Sequence, residues 1–516
     1  MKGTSLALLF AVLAGCASHR VRVDPTAFMA ATADLGRADI LVRQGCYVCL
    51  QEALSIYERL AQRSEATARA QLGAFETTLL LAARERELGL GSGTALDRAR
   101  GLAAGLPAPY ETTARLSMAE SLPWKTTGVS REFVDEQFPL RRRAGLQGRA
   151  WRERLQAAPD DDLAARYLLL AFDCTNRYRL RDWTLERTSV TDKSPALLIF
   201  RDATCDGIEP DRLTALVDDQ PRFIEAHLFT GELALREGRL VTAERRLTTA
   251  LDGIPNLVAA RLALGQVYQA MEDFELALQA FSAVVAAVPG HREGLLGKAI
   301  ALGYTGRHLD AIPVLDEMVR LGTWYQGEAF YWRAWNRYRL REFDAADADA
   351  AEARLRLPMD PQVDKLTGLV ALVKTDLDRA EREFRAAAEH LAGRGARDCD
   401  VGYYLASTLV ARRKWPEAGP LFETAVSCYT MDEDALQTRI EEIRRSELGG
   451  ERKARLVAAK ERDITLLQSQ QARSAYNAAV AYINAGDTEK CRPMAERAIR
   501  HPDFAAQARA LLDKLK

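Results

Sequence analysis

The second half of the chain repeats one arrangement of small and aromatic residues at a nearly constant interval. Counting from Gly265, the pattern recurs 34 residues earlier and 34 residues later, and then after intervals of 35, 34 and 38 residues. The leading small residues of the six units are Gly231, Gly265, Ala299, Ala334, Gly368 and Ala406. A seventh unit has its small residue at Ala479, 73 residues beyond Ala406, which leaves room for one intervening helical hairpin. A spacing kept through six units predicts a stack of repeats.

Each unit is predicted to be a pair of antiparallel α-helices. Apolar residues recur at helical spacing, and no later stretch alternates apolar and polar residues convincingly enough for a β-strand. Small residues at two fixed positions allow the two helix backbones to approach, and a larger residue fills the remaining gap. One such pair buries too little surface to be stable alone, so the pairs must stack into a continuous core. We therefore expect an all-α fold.

The unit that begins at Val258 resembles a tetratricopeptide repeat. It has Gly265 at position 8, Tyr268 at position 11, Ala277 at position 20 and Phe281 at position 24, which match that family's pattern. The resemblance implies a TPR-like α-solenoid, a superhelical array of helix pairs with a concave face. It also implies that a protein or peptide partner binds in the concave groove.

These patterns divide the chain into five predicted segments. Residues 1–15 read as a signal peptide, 16–23 as an acylated linker and 24–220 as degenerate helical repeats. Residues 221–428 form the contiguous repeat array, and 429–516 form a charged helical hairpin followed by a C-terminal repeat and capping helices. The boundary near residue 220 is expected to be accurate to about ten residues.

The N-terminus resembles the signal of a bacterial lipoprotein. Lys2 precedes a short apolar run, Ser5–Val12, and this run ends in Leu13-Ala14-Gly15-Cys16, which matches the lipobox at all four positions. The resemblance implies cleavage before Cys16 and acylation of its thiol and amine, which anchors the protein to a membrane. Ala17 and Ser18 lack the Asp that marks inner-membrane retention, so we expect the outer membrane, with the body facing the periplasm. The alternative is an ordinary secretory signal with a chance cysteine.

Export permits disulfides, and two pairs are predicted from spacing. Cys399 falls at position 1 of its unit and Cys428 at position 30, so the two should face each other at the open end of an antiparallel pair. Cys46 and Cys49 form a C-x-x-C without the preceding strand of a redox motif, and we predict a local structural disulfide. Two buried free thiols are the alternative at the first pair.

The remaining cysteines are less constrained. Cys174 and Cys205 could pair, but nothing in their spacing fixes it, and Cys491, at small position 20 of its unit, is predicted to be a buried free thiol.

No sequence motif indicates catalysis. The six histidines are scattered, and neither H-E-x-x-H, G-x-S-x-G nor a Walker A motif occurs. The 71 basic and 72 acidic side chains give a formal charge of -1, which provides no basic surface for nucleic acid. We expect no enzyme activity, no cofactor or metal and no nucleic-acid partner.

The candidate binding residues lie in the fourth unit. Tyr331, Trp335 and Tyr338 occupy positions 5, 9 and 12 of its first helix, with Glu328 and Arg339 alongside. The resemblance to tetratricopeptide repeats places these positions on the concave groove, and aromatic residues and Arg are frequent interface hot spots.

The same unit also permits a different arrangement. It carries Arg333 and Arg337 at positions 7 and 11, which normally pack inward, so a small rotation of the helix could bury the aromatic residues as core instead.

Two classes of function remain open. The first is a non-catalytic, membrane-anchored scaffold that mediates protein-protein interaction in the bacterial cell envelope. The second is a carbohydrate-binding outer-membrane lipoprotein similar to the SusD family, which also uses tetratricopeptide helices and aromatic platforms. Proteins of that family are rich in loops that interrupt the repeats. Here six units follow one another with short turns, which favours the scaffold.

Overall fold

The computed structural model describes residues 25–63, 67–91, 93–106, 111–125, 162–175, 194–199, 210–322 and 325–515, with a few isolated positions between them. The predicted signal peptide and lipid-anchor residue Cys16, together with Cys205 and Trp324, lie outside these residues, as does the side chain of Cys174. The described residues divide into two compact units: the first contains those between 25 and 125 and between 136 and 229, and the second contains Val129 and those between 230 and 515.

The described residues of the first unit include seven helices. They are α1 (Pro25–Gln44), α2 (Tyr47–Ala61), α3 (Thr67–Leu88), α4 (Thr94–Ala103), α5 (Thr112–Ser121), α6 (Leu163–Thr175) and α7 (Pro210–Asp219). Helices α1 to α4 pack in sequential antiparallel order. The backbones of α2 and α3 approach closely because Gly73 lies against the Tyr57 ring, where an added Cβ would lie 2.6 Å from the ring.

The second unit is a run of sequential helix pairs. Its helices are α8 (Ala226–Arg236, which begins just before the division), α9 (Leu240–Gly253), α10 (Val258–Ala270), α11 (Phe274–Ala287), α12 (Arg292–Tyr304), α13 (His308–Leu321), α14 (Gln326–Arg339), α15 (Phe343–Arg356), α16 (Pro361–Val373), α17 (Leu377–Gly393), α18 (Cys399–Ala411), α19 (Trp415–Arg445), α20 (Gly450–Asn484), α21 (Thr488–Ile499) and α22 (Pro502–Asp513). This architecture confirms the predicted all-helical array of packed antiparallel pairs.

Close packing inside each pair follows the predicted arrangement of small and large residues. An added Cβ at Gly265 would lie 2.7 Å from the ring of Phe281, and one at Gly368 would lie 2.7 Å from the ring of Phe384. The small residue at position 20 is fully buried in every one of the seven repeats. The aromatic ring of the second helix thus fills the space that glycine leaves on the first, which fixes the distance between the two helices.

The turn between the two helices of a repeat has the same backbone geometry in all seven repeats. One residue per turn, always at position 15, has a positive φ: Gly238, Glu272, Gly306, Arg341, Thr375, Arg413 and Gly486. The next residue donates its amide hydrogen to the carbonyl five residues back, as Asp273 does to Tyr268 at 2.8 Å. This bond satisfies a carbonyl at the helix end, as in the Schellman motif. Four of the seven residues are not glycine and carry the steric cost of that conformation.

The first helices of successive pairs form the inner layer of the array. Helix α10 contacts α12, α12 contacts α14, α14 contacts α16, and α16 contacts α18. The second helices of these pairs show no contacts of that extent in the described part of the chain. Since the layer with the smaller radius brings its members closer together, the first helices line the concave face.

A long hairpin interrupts the repeats near the C-terminus. Helix α19 runs for 31 residues without a break through the predicted boundary at residue 428, and α20 returns for 35 residues after the turn at 446–449. Within the described residues, no helix is both long enough and apolar enough to cross a bilayer.

Candidate functional site

Helix α14 carries the predicted binding residues on the inner layer of the array. Tyr331, Trp335 and Tyr338 are all partly buried, Arg339 is exposed, and Glu328 lies partly exposed in the first helical turn. An acidic residue there also interacts favourably with the helix dipole. The three aromatic side chains pack against small buried residues of α14 and α15 and against α16. They are therefore neither fully buried core nor freely exposed.

Arg333 and Arg337 on α14 do pack inward, toward the second helix of their pair. Arg333 binds Asp349 through two contacts of 2.6 and 2.9 Å, and Arg337 binds the same carboxylate at 2.7 Å. Asp349 is 3% exposed, and Asp316 adds a further contact to Arg333 at 2.6 Å. Paired in this way, both arginines occupy the usual inward positions, which leaves Tyr331, Trp335 and Tyr338 on the inner layer.

An exposed tyrosine from the preceding pair joins these residues. Tyr304, the last residue of α12, is 54% exposed and stacks on Phe274 with ring centroids 4.4 Å apart. Its ring also lies 5.8 Å from those of Trp332 and Trp335, which are 5.5 Å from each other. We call Phe274, Tyr304, Trp332 and Trp335 the aromatic cluster. The cluster spans three successive pairs: Phe274 lies at the start of α11, Tyr304 at the end of α12, and Trp332 and Trp335 on α14.

Sequence reasoning missed Tyr304, although a signal was present. In its unit it occupies position 13, one residue beyond the positions attributed to the groove. Only the stacking of adjacent pairs brings a residue of one unit beside position 9 of the next. Aligning the units one above another, rather than comparing them separately, would have placed Tyr304 near Trp335.

Trp335 occupies a gap in the neighbouring helix. An added Cβ at Gly303 would lie 2.8 Å from the indole ring, so a side chain at that position would displace the ring. His308 packs edge-on against the indole at 5.4 Å, and the guanidinium of Arg339 lies 5.3 Å from its centroid. An arginine over a tryptophan face is held by a cation–π interaction and keeps its donors available to a ligand.

Charged and phenolic groups continue the inner layer beyond the cluster. Lys365 on α16 binds Asp398 at 2.9 Å and Asp400 at 3.1 Å. Burial opposes its charge, but these two carboxylates outweigh that effect and raise the pKa of Lys365. Burial also raises the pKa values of Tyr331 and Tyr338. Both phenols therefore stay protonated at neutral pH and can donate hydrogen bonds.

The structure joins the cysteines that were paired from spacing. Cys399 and Cys428 form a disulfide with Cα atoms 5.5 Å apart, and Cys46 and Cys49 form one with Cα atoms 5.0 Å apart. Cys491 is a free thiol with no exposed surface, and burial raises its pKa. Such a thiol is poorly reactive.

One group of side chains among the described residues has the ligand types and spacing for a metal ion. The group consists of Cys399, Cys428 and Asp432, whose ligand atoms lie within 4.8 Å of one another. Both sulfur atoms belong to the disulfide, so neither is available as a thiolate, the form that binds metal ions. The Asp432 carboxylate is also paired with Arg397 at 2.8 Å.

Comparison with known proteins identifies the repeat. The tetratricopeptide repeat family model matches residues 234–300, which run from the end of α8 into α12. No curated protein sequence matches this chain significantly.

Several solved structures show partial similarity to this chain. The chain shows 16% identity to YrrB, described as a TPR protein with an unusual peptide-binding site, with 35% of this chain and 93% of that chain covered at a TM-score of 0.31. A tetratricopeptide repeat protein from Parabacteroides merdae shows 13% identity, covering 57% and 99% at a TM-score of 0.36. Yeast Tom70 shows 12% identity, covering 94% and 96% at a TM-score of 0.33. Residues 234–300 are therefore tetratricopeptide repeats, and helix pairs of the same geometry continue beyond them.

Proposed function

We propose that this protein is a non-catalytic scaffold of the bacterial cell envelope that binds a polypeptide partner on its concave face. The observation that carries the proposal is the aromatic cluster with Arg339 beside it. Aromatic and arginine side chains contribute most of the binding energy at protein interfaces, and here they are concentrated on the inner layer. Tetratricopeptide arrays use that layer as an extended binding surface.

The chemistry of the surface favours a peptide with apolar or aromatic side chains. Tyr304 offers an exposed ring held in place by Phe274, so little conformational freedom is lost when a ligand stacks on it. Arg339 and the phenols of Tyr331 and Tyr338 supply donors for the carbonyl groups of a bound backbone.

Photo-cross-linking from the concave face tests the proposal. A benzophenone amino acid replaces Tyr304, and a matched control carries it at Leu355, which is 75% exposed on the second helix α15. We expect a polypeptide adduct from position 304 in cells that express the protein, and no such adduct from position 355. Equal adducts from both positions would contradict a specific concave site. Glycan binding without any polypeptide adduct would support the carbohydrate-binding alternative.

A substitution pair then measures the contribution of the site. Tyr304→Ala should weaken binding of the cross-linked partner by about 2 kcal/mol or more, the scale of an interface hot spot. Leu355→Ala should leave binding unchanged. An unchanged affinity in Tyr304→Ala would remove this residue from the interface.

The proposed anchor is the acylated Cys16, and the support for it is the complete lipobox match at residues 13–16. The proposed location is the outer membrane, with the array in the periplasm, because two or more acyl chains hold a protein firmly to a bilayer. In membrane fractionation, Cys16→Ser should give a soluble or unprocessed protein. If that variant fractionates with the outer membrane as the wild type does, the anchor proposal is wrong.

A further inference from the structure

The long hairpin reaches back to the beginning of the array. Beyond position 30 of its repeat, α19 continues for 17 residues to Arg445, which at 1.5 Å per residue extends it by about 25 Å. The turn at 446–449 and the first part of α20 then contact residues near 240 and 270. Contacts therefore run without a gap along the stacked pairs from α10 to α18, and return to the first pairs through the hairpin.

Ion pairs hold the end of this hairpin. Arg452 contacts Asp273 at 3.1 Å and also binds Glu244, while Arg455 contacts Asp273 at 2.7 Å. Lys460, whose side chain is 4% exposed, binds Glu272. We call Glu272, Asp273, Arg452, Arg455 and Lys460 the latch. Every one of these pairs joins a base on the hairpin to an acid at the start of the array.

The apolar part of the same contact is loosely packed. A cleft of about 190 Å³ that is open to solvent lies beside the latch, lined by Val241, Met271, Ile443 and Leu456 among others. Empty space lowers the number of van der Waals contacts across an interface. The contact therefore depends on charge more than a close-packed helix pair does, and charge can be screened or outcompeted.

The latch adjoins the aromatic cluster. Glu272 and Asp273 immediately precede Phe274, on which the exposed ring of Tyr304 stacks. Burial raises the pKa of Tyr304, and the Glu272 carboxylate raises it further, so these two groups interact electrostatically. Movement of the hairpin end would thus change the surroundings of the cluster directly.

We propose that the α19–α20 hairpin is a reversible latch that closes the array beside the aromatic cluster and limits access to it. When the ion pairs form, the two ends of the array are held at a fixed distance, and the curvature of the inner layer cannot change. When they separate, the hairpin end moves away from Glu272 and Asp273, which immediately precede Phe274, and the cluster becomes more accessible. This inference goes beyond the proposed function, and its test needs no partner, so either can fail without the other.

The backbone at Glu272 allows a variant that removes a latch residue without damaging the fold. Glu272 is not a glycine, yet it has a φ of 59°. Glu272→Gly removes the acceptor that the array offers to Lys460, leaves Lys460 with Asp463 of its own helix at 3.5 Å, and relieves backbone strain at the same time. Thr375→Gly is the matched control, because Thr375 has a φ of 60° at the same repeat position and donates hydrogen bonds to Lys374 and Leu372 of its own turn.

Hydrogen exchange measured by mass spectrometry tests the latch. In Glu272→Gly, amides of residues 446–460 should exchange about tenfold faster than in the wild type, because local opening governs their exchange. Thr375→Gly should leave these amides unchanged. Arg455→Ala is a second variant, since that side chain is 50% exposed and its loss leaves the core intact. Unchanged exchange in both latch variants, or equal acceleration in Thr375→Gly, would overturn the proposal.

Added salt tests whether charge holds the hairpin end in place, and fluorescence quenching tests whether its opening exposes the aromatic cluster. The screening length falls from about 10 Å at 0.1 M salt to about 3 Å at 1 M, so salt should accelerate exchange of residues 446–460 in the wild type more than in Glu272→Gly. Acrylamide should quench Trp335 more strongly in Glu272→Gly, with Trp335→Phe proteins as the reference for that residue's emission. An open hairpin with unchanged quenching of Trp335 would refute the control of access.

Discussion

Replacing Gly368 with alanine tests the close helix approach that builds the repeats. An added Cβ would lie 2.7 to 2.9 Å from three atoms of the Phe384 ring, closer than carbon atoms can pack. The ring has no exposed surface and stacks against Tyr404 of the next pair at 5.9 Å, so it has no space into which to move. Overpacking of this kind costs about 1–3 kcal/mol.

A second glycine separates this cost from the effect of alanine on helix formation. Gly402 lies inside α18, and nothing is found within 4 Å of a Cβ added there. Alanine stabilises a helix interior by about 1 kcal/mol relative to glycine, and both variants gain this amount. Gly402→Ala should therefore be more stable than the wild type. The difference between the two variants should equal the overpacking cost, about 1–3 kcal/mol.

Thermal unfolding followed by circular dichroism at the helical minimum measures the difference. For a unit of 150–250 residues, 1 kcal/mol shifts the melting temperature by about 2–4 °C. Gly368→Ala should consequently melt at least about 2 °C below Gly402→Ala. The reasoning is wrong if the two variants melt together, because the Phe384 ring would then not occupy the space beside Gly368.

Three further predictions follow from the structure. Peptide mapping without reduction should recover Cys399 linked to Cys428 in protein exported through its own signal, and free thiols at both would exclude that bridge. Hydrogen bonding to Arg379 lowers the pKa of Asp347, so the carboxylate stabilises the fold above the ordinary aspartate range and loses that contribution as the pH falls. Asp347→Asn should thus lower the free energy of unfolding at pH 7 by about 1 kcal/mol at most, and should match the wild type well below pH 4. Trp335→Ala should cost about 2–3 kcal/mol, because its ring is only partly buried; a loss of 5 kcal/mol would identify it as core.

The sequence by itself was sufficient to predict the all-helical repeat fold. Small residues at positions 8 and 20 are required wherever two helices pack closely, so their spacing reports local geometry directly, as Gly265 against Phe281 shows. The pairing of Cys399 with Cys428 could be predicted for the same reason, since it depends on the geometry of one antiparallel pair. Residues that interact within a repeat recur periodically in the sequence, because the same two helices pack against each other in every repeat.

Residues that interact between different repeats show no such periodic pattern in the sequence. Tyr304 joins Trp335 only because two pairs stack, and for the same reason Arg333 meets Asp316, which lies on α13 of the preceding pair.

The latch joins residues about 180 positions apart, Arg452 to Asp273 and Lys460 to Glu272 among them. Acidic and basic residues are common along the whole chain, so nothing in their spacing distinguishes these from solvated charges. The tertiary structure decided which of them meet, because the curvature of the stacked pairs sets where a 25 Å extension of a helix ends.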